Sequence, residues 1–217
     1  PFPLADAACL LSGYRGAVVV AWHSDVVRQK KLMRLYRPLL LRFLRRVDCI
    51  IVATEGHITS SPILTQFREK CRVIPYGIDV AAYRNIERKP ILRQIQRNPE
   101  TVRVLFVGRF VYYKGIEVLL HAFAQVHGCE LFLVGHGTPE MEEKLHRMAE
   151  MAQMETRVHF LGNLSEEDLR AAFADCDIFV LPSVANSEAF GIVQQEAMVY
   201  GKPVINTSLP TGVPHVS

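Results

Sequence analysis

Apolar runs rich in β-branched residues alternate with helically spaced segments along nearly the whole chain. Eight short runs read as strands, at 17–21, 49–53, 72–74, 102–107, 130–134, 158–161, 178–181 and 204–206. Six segments carry helical spacing, at 29–45, 61–70, 116–126, 139–153, 165–174 and 192–200. The strands are apolar without alternation, and most are followed by a helix. That combination predicts parallel sheets buried on both faces, a doubly wound α/β architecture.

Boundary residues sharpen the pattern. Ser165 precedes Glu166, Glu167 and Asp168, a hydroxyl cap before an acidic first turn. Pro139 suits a first helical turn, where its missing N–H loses nothing. Gly201 follows the last helix and Pro203 blocks its extension. The alternation breaks at 84–100, which holds Pro90, Pro99 and the basic residues Arg84, Arg88, Lys89, Arg93 and Arg97. This stretch reads as an exposed linker with a short helix at 91–96. It divides a three-strand part, 1–83, from a five-strand part, 101–217. Three strands and two helices are few for a sheet covered on both faces, so the chain reads as cut.

Composition narrows the class. The chain has 217 residues, 49% hydrophobic and 22% charged, as in ordinary globular proteins. A net charge of +3 gives no argument for nucleic acid. No apolar run approaches the ~20 residues of a membrane span. The start, Pro1-Phe2-Pro3-Leu4-Ala5-Asp6, lacks the charged region of a signal peptide. Five scattered cysteines without C-x-x-C spacing read as free thiols of a reducing compartment. The histidines show no zinc-ligand spacing. The segment from Arg28 to Arg46 holds eight basic residues and no acidic one, with Leu32, Leu35, Leu39 and Phe43 at helical spacing. It reads either as a helix laid on the first sheet or as one that also meets an anionic membrane surface.

The most informative stretch is Ser187-Glu188-Ala189-Phe190-Gly191-Ile192-Val193-Gln194-Gln195-Glu196. It joins an apolar strand to a helix, with one carboxylate in the loop and one on the helix. Gly191 permits a tight turn and close ligand approach. Free N–H groups at the helix start suit an anion, and the two carboxylates suit hydroxyls. A nucleoside diphosphate sugar combines both chemistries. The plain alternative is a helix start whose acidic residues favour the dipole.

Four segments extend this pattern: Val107-Gly108-Arg109-Phe110-Val111-Tyr112-Tyr113-Lys114-Gly115, Leu133-Val134-Gly135-His136-Gly137, Asp177-Ile178-Phe179-Val180-Leu181-Pro182-Ser183, and the two-glutamate stretch. In this order and spacing they resemble the C-terminal half of retaining glycosyltransferases of family 4, which have the GT-B fold of two Rossmann-like domains. In the first part, Trp22-His23-Ser24-Asp25 resembles the family's acceptor-domain loop, and Ile74-Pro75-Tyr76-Gly77-Ile78-Asp79 its turn before the linker. The resemblance makes 1–83 the end of the acceptor-side domain, 84–100 the linker and 101–217 the donor domain. It places a glycine-rich loop upstream of Pro1, and a last strand and helix after Ser217.

The resemblance also implies roles. Arg109 and Lys114 bind the donor diphosphate, where two cations offset charge growing on the leaving group. Glu196 takes the ribose hydroxyls and Glu188 the sugar hydroxyls. The backbone of Phe190, Gly191, Ile192 and Val193 meets sugar and phosphates, with Asn186 and Ser187 in front. His23 reaches from the acceptor side. Gly108, Gly135 and Gly137 form turns near the nucleotide, and Glu140 breaks any full dinucleotide fingerprint. Asp175-Cys176-Asp177 has D-x-D spacing, but it sits at a helix–strand junction and reads as structural. The implied partners are a nucleotide sugar donor and a saccharide or lipid-linked acceptor. No metal, no cofactor and no nucleic acid are expected, and the location is cytoplasmic, at the membrane's inner face. The implied activity is hexosyl transfer, mannose from GDP-mannose being favoured, in surface polysaccharide or lipopolysaccharide assembly. An inactive nucleotide-sugar-binding module, or a GT-B epimerase or phosphorylase, stays open.

Overall fold

The computed structural model describes residues 2–25, 30–84 and 89–217. Its first part runs α1 (Pro3–Leu11), β1 (Val19–Trp22), α2 (Lys30–Arg46), β2 (Cys49–Val52), α3 (Glu55–Ser60), β3 (Cys71–Val73) and α4 (Val80–Arg84). After α5 (Ile91–Ile95) come β4 (Val102–Val107), α6 (Ile116–Phe123), β5 (Cys129–Val134) and α7 (Pro139–Met151). The chain continues through β6 (Val158–Gly162), α8 (Glu166–Asp175), β7 (Ile178–Leu181), α9 (Val193–Val199) and β8 (Val204–Asn206).

All eight expected strands form, and every pairing between them is parallel. The first sheet has the order β1-β2-β3 and the second β6-β5-β4-β7-β8. β4 and β7 are therefore neighbours although three helices and two strands separate them in sequence. From this pair the strand order runs outward in both directions, so β4 and β7 flank the topological switch point. The helices that follow them, α6 and α9, pack on opposite faces of the sheet, the arrangement at which open α/β sheets bind ligands, in the crevice beyond the carboxyl ends of the strands.

Both faces of the second sheet are covered, as the continuous apolar strands require. On one face Phe106, Leu131 and Leu133 pack with Leu119, Leu120 and Phe123 of α6 and Leu145 of α7. On the other, Leu105, Phe132 and Phe179 pack with Phe173 of α8, Ala197 of α9 and Leu92 of α5. Each such buried leucine or phenylalanine contributes about 1.5–3 kcal/mol of hydrophobic free energy. Ser165 caps α8 by accepting from the Asp168 N–H, and Thr138 does the same for α7 through Met141, with Pro139 in its first turn.

The first part departs from the sequence reading on three points. Helices α1 and α4 were not anticipated. The expected helix at 61–70 is instead α3 followed by a 3₁₀ stretch, Leu64–Lys70, kinked at Phe67. Thr54 caps α3 at its head, and Pro62 limits helix at its foot by its missing N–H. The third departure is the buried stripe of α2, which is Leu40, Phe43 and Leu44 with Val47 just beyond, while Leu32 and Leu35 are exposed. A 17-residue helix outruns strands of four residues or fewer, so full burial is confined to its C-terminal half, while Met33 and Tyr36 nearer its start are only partly buried. The linker is not wholly exposed either. Leu92 is fully buried on the second sheet, and Asp175 Oδ2 accepts from the N–H groups of Leu92 and Arg93, each at 2.9 Å. Arg28, from the basic segment, and Arg88, from the linker, lie outside the described residues.

Candidate functional site

The β4 loop carries Gly108, Arg109 and a single 3₁₀ turn, Tyr112–Lys114, that ends on Gly115. Gly115 has φ 70°, and a Cβ there would lie 2.0 Å from the Pro182 carbonyl oxygen. Only glycine lets this loop rest on the β7 loop. The Val184 N–H bonds the Tyr113 carbonyl at 2.8 Å and fixes the contact.

That contact joins two site residues 74 positions apart. Lys114 Nζ lies 2.6 Å from Glu188 Oε2, with only 13% and 10% of the two side chains exposed. The Ser183 hydroxyl donates to the same carboxylate oxygen at 2.9 Å. Arg109 is exposed, and its side chain bonds only the Tyr113 hydroxyl, at 3.3 Å, among the described residues. It lines an open groove of about 440 Å³ with Tyr112, Tyr113, Thr138 and Ser187, a volume within the range of small-molecule sites. One cation is thus held in a pair while the other faces solvent.

Gly135 follows β5 and packs against the Gly108 carbonyl, and Gly137 packs against that of Phe110. Both glycines hold the β4 and β5 loops together. In the β7 loop Gly191 has φ 74°, and a Cβ there would come within 2.5 Å of Leu181. Gln194, fully buried, donates to the Phe190 carbonyl at 3.1 Å and the Val213 carbonyl at 3.3 Å, and accepts from Asn206 at 2.7 Å. It pins the loop from below. Among the described residues nothing accepts from the Ile192 and Val193 N–H groups, so both remain available to an anion.

Glu196 stands on α9, and its Oε1 accepts from the Tyr83 hydroxyl at 2.8 Å. Its neighbour Gln195 donates to the Tyr76 carbonyl at 2.8 Å. His23 hydrogen-bonds the Tyr76 hydroxyl, and their rings stack with centroids 5.8 Å apart. Tyr76 in turn meets the buried Phe190 edge-on at 5.0 Å. A chain His23–Tyr76–Phe190 therefore crosses between the sheets and ends on the two-glutamate loop. Asn186 lies further along the same crevice, lining a cavity of about 40 Å³ with Asp25, His57, Ser61 and Thr211. Burial lowers the His57 pKa, with the His23 carbonyl in partial opposition.

Asp175 and Asp177 are held structurally. Arg103 bonds Asp177 at 2.7 and 3.0 Å and Asp175 at 3.2 Å. Burial raises the Asp177 pKa, but the hydrogen bonds from Arg103 outweigh it and hold the group below its ordinary value. Among the described residues no group of three or more His, Cys, Asp or Glu could hold a metal ion. No described helix is long and apolar enough to cross a membrane.

Arg109, Lys114, Glu188 and Glu196 were singled out from the sequence and lie along this crevice, whereas Ser183, Gln194, Tyr76 and Tyr83 were not assigned roles. Tyr76, Ser183 and Gln194 stand inside segments that carried the resemblance, so a signal existed for all three. Tyr83 acts through Glu196, 113 positions away, which no local pattern announces.

The crevice at the topological switch point is bordered by Arg109, Lys114, Glu188 and Glu196 and faced by a second parallel sheet, the place at which α/β folds of this class take ligands. Residues 87–217 match the model of glycosyl transferases group 1, and the chain belongs to that family. It is 37% identical over 220 residues to D-rhamnosyltransferase WbpZ of Pseudomonas aeruginosa, covering 100% of this chain and 56% of that protein. It is 36% identical over 223 residues to O-antigen chain mannosyltransferase C of Escherichia coli, covering 100% and 57%. The chain thus spans a little over half the length of these relatives. Among solved structures it resembles HepE of Anabaena in complex with UDP, at a TM-score of 0.79 and 25% identity over 98% of this chain and 58% of that one. The fold is GT-B.

Proposed function

We propose that the whole protein transfers a hexose from a nucleoside diphosphate sugar to a saccharide or lipid-linked acceptor, with retention, in surface polysaccharide or lipopolysaccharide assembly. The observation that carries this reading is the Lys114–Glu188 pair beside Arg109 at the switch point, with Glu196 one helical turn into α9. Lys114 and Arg109 meet the diphosphate and stabilise charge on its β-phosphate as the glycosidic bond breaks. Glu196 accepts from the ribose hydroxyls, and Glu188 from hydroxyls of the sugar. The acceptor hydroxyl approaches on the face from which the diphosphate departs, and the β-phosphate takes its proton. The reading needs neither a metal nor another cofactor. Mannose from GDP-mannose is the donor we favour, supported by the likeness to an O-antigen mannosyltransferase.

The acceptor end is proposed to work at the inner face of a membrane. Support comes from the basic segment, whose exposed Arg34, Arg37 and Arg45 accompany the exposed Leu32 and Leu35.

Titration calorimetry of the whole protein with GDP, UDP and ADP tests the reading. One of them is expected to bind in the micromolar to millimolar range. Glu196→Gln weakens that binding, and Glu188→Gln spares it while lowering the transfer rate. Absence of heat from all three, or equal loss of nucleotide affinity in both variants, would contradict the assignment. Donor hydrolysis separates an enzyme from a binding module, since a module binds without cleaving.

A further inference from the structure

Glu196 is oriented from outside its own sheet. The hydroxyl that donates to its Oε1 belongs to Tyr83 of α4, 113 positions earlier in the chain. The Tyr83 ring is itself held on two sides. The Arg170 guanidinium of α8 lies 5.1 Å from its centroid. Tyr200, just past α9, meets it edge-on at 6.2 Å. Burial, reinforced by the bond to Glu196, pushes the phenol up to about 12, so it remains a donor at neutral pH. The segment leaving the first sheet therefore bonds α9 twice, through the Tyr76 carbonyl at Gln195 and the Tyr83 hydroxyl at Glu196.

A carboxylate offers four acceptor positions, and Tyr83 takes one on Oε1. The rest stay open to a vicinal diol, so the tyrosine orients Glu196 without competing for it. A glutamate held before the ligand arrives loses less freedom on binding than a free one. A hydrogen bond to a charged group is also among the stronger kinds, so its removal should be measurable. We infer that Tyr83 is a positioning residue for Glu196, fixing the carboxylate that receives the 2′,3′-diol of the donor nucleoside and so setting preference for ribo- over 2′-deoxyribonucleotides. The inference rests on the role given to Glu196 above.

Tyr83→Phe removes the hydroxyl and leaves the ring against Arg170 and Tyr200. The test compares GDP and UDP with their 2′-deoxy counterparts by calorimetry on the whole protein, alongside donor kinetics. Tyr83→Phe is expected to weaken the ribonucleotide by about three- to tenfold and the 2′-deoxy form less than twofold. The donor KM should rise by the same factor while kcat stays within about twofold. Unchanged affinities, or an equal loss for both sugars, overturn the positioning role and leave Tyr83 as packing. Glu196→Gln separates the two levels of the argument. If it keeps the wild-type preference for the 2′-hydroxyl, or if the wild type has none, the role of Glu196 falls and the inference with it. If Glu196→Gln abolishes the preference and Tyr83→Phe does not reduce it, only the inference falls.

Discussion

At the residue scale the two cations of the site should behave differently, because only one is buried in a pair. Lys114 shares a largely enclosed contact with Glu188, while Arg109 faces an open groove. On the proposed function both offset charge that grows on the leaving diphosphate, so Arg109→Ala and Lys114→Ala should each lower kcat on the order of a hundredfold or more. Lys114→Ala also strands the Glu188 carboxylate, which only Ser183 then satisfies. Breaking a buried pair on one side costs about 3–5 kcal/mol, so this variant alone should lose stability of that order. Urea unfolding with steady-state kinetics on both variants checks the contrast. Equal stabilities would mean that water already screens the Lys114–Glu188 contact. An unchanged kcat with a raised KM would mean that the cations hold only the ground state. The identity of these residues was legible in the strand–loop–helix pattern around them. Their pairing was not, because it depends on Gly115 resting against Pro182.

At the element scale the strands were the most legible feature. Each is a short apolar run bounded by polar or glycine residues, and a strand between two helix layers tolerates nothing else. Helices were less so where one apolar stripe serves more than one neighbour. In α2 the stripe through Leu32 and Leu35 was expected to face the sheet, yet burial begins near Leu40. That leaves Arg34, Arg37 and Arg45 exposed beside apolar side chains. Each cation near an anionic surface is worth about 1 kcal/mol, screened beyond a Debye length of ~10 Å at 0.1 M salt. The sum supports reversible association at low ionic strength. Co-sedimentation of the whole protein with phosphatidylserine-containing vesicles should fall at high salt, and fall further when Arg34, Arg37 and Arg45 are changed to glutamate. Binding that ignores both salt and charge reversal would assign α2 a purely structural role.

At the scale of the whole molecule, the second sheet is fastened at its middle by Arg103 on β4 and two aspartates around the start of β7. Arg103 and Asp175 have only 10% and 9% of their side chains exposed, whereas Asp177 is 40% exposed and more screened. Replacing Arg103 with Met should therefore destabilise the protein by about 3 kcal/mol at neutral pH, chiefly by leaving the buried Asp175 without its cation, held by the Leu92 and Arg93 N–H groups alone among the described residues. The pH dependence follows from Asp177, whose folded pKa lies below the ordinary 3.8. A depressed carboxylate contributes stability above its unfolded pKa and loses it as pH falls through the folded value. The gap between wild type and Arg103→Met should thus narrow as pH falls below about 4. Urea midpoints at pH 7, 5 and 3.5 measure it, and a gap independent of pH would remove Asp177 from the account.

The sequence by itself determined which segments are strands, that they lie parallel, and which loops carry cations and carboxylates. Those properties are local: periodicity, β-branching, capping and glycine act within a few residues. The tertiary structure decided what stands beside what. Strand order makes β4 and β7 neighbours, so the Lys114 and Glu188 loops meet. Sheet-to-sheet packing sets Tyr76, with His23 stacked on it, against Phe190, and Tyr83 on Glu196. Side chains 53 to 114 positions apart come into contact only when the burial of whole faces fixes the sheets and their connection, and no spacing along the chain encodes that geometry.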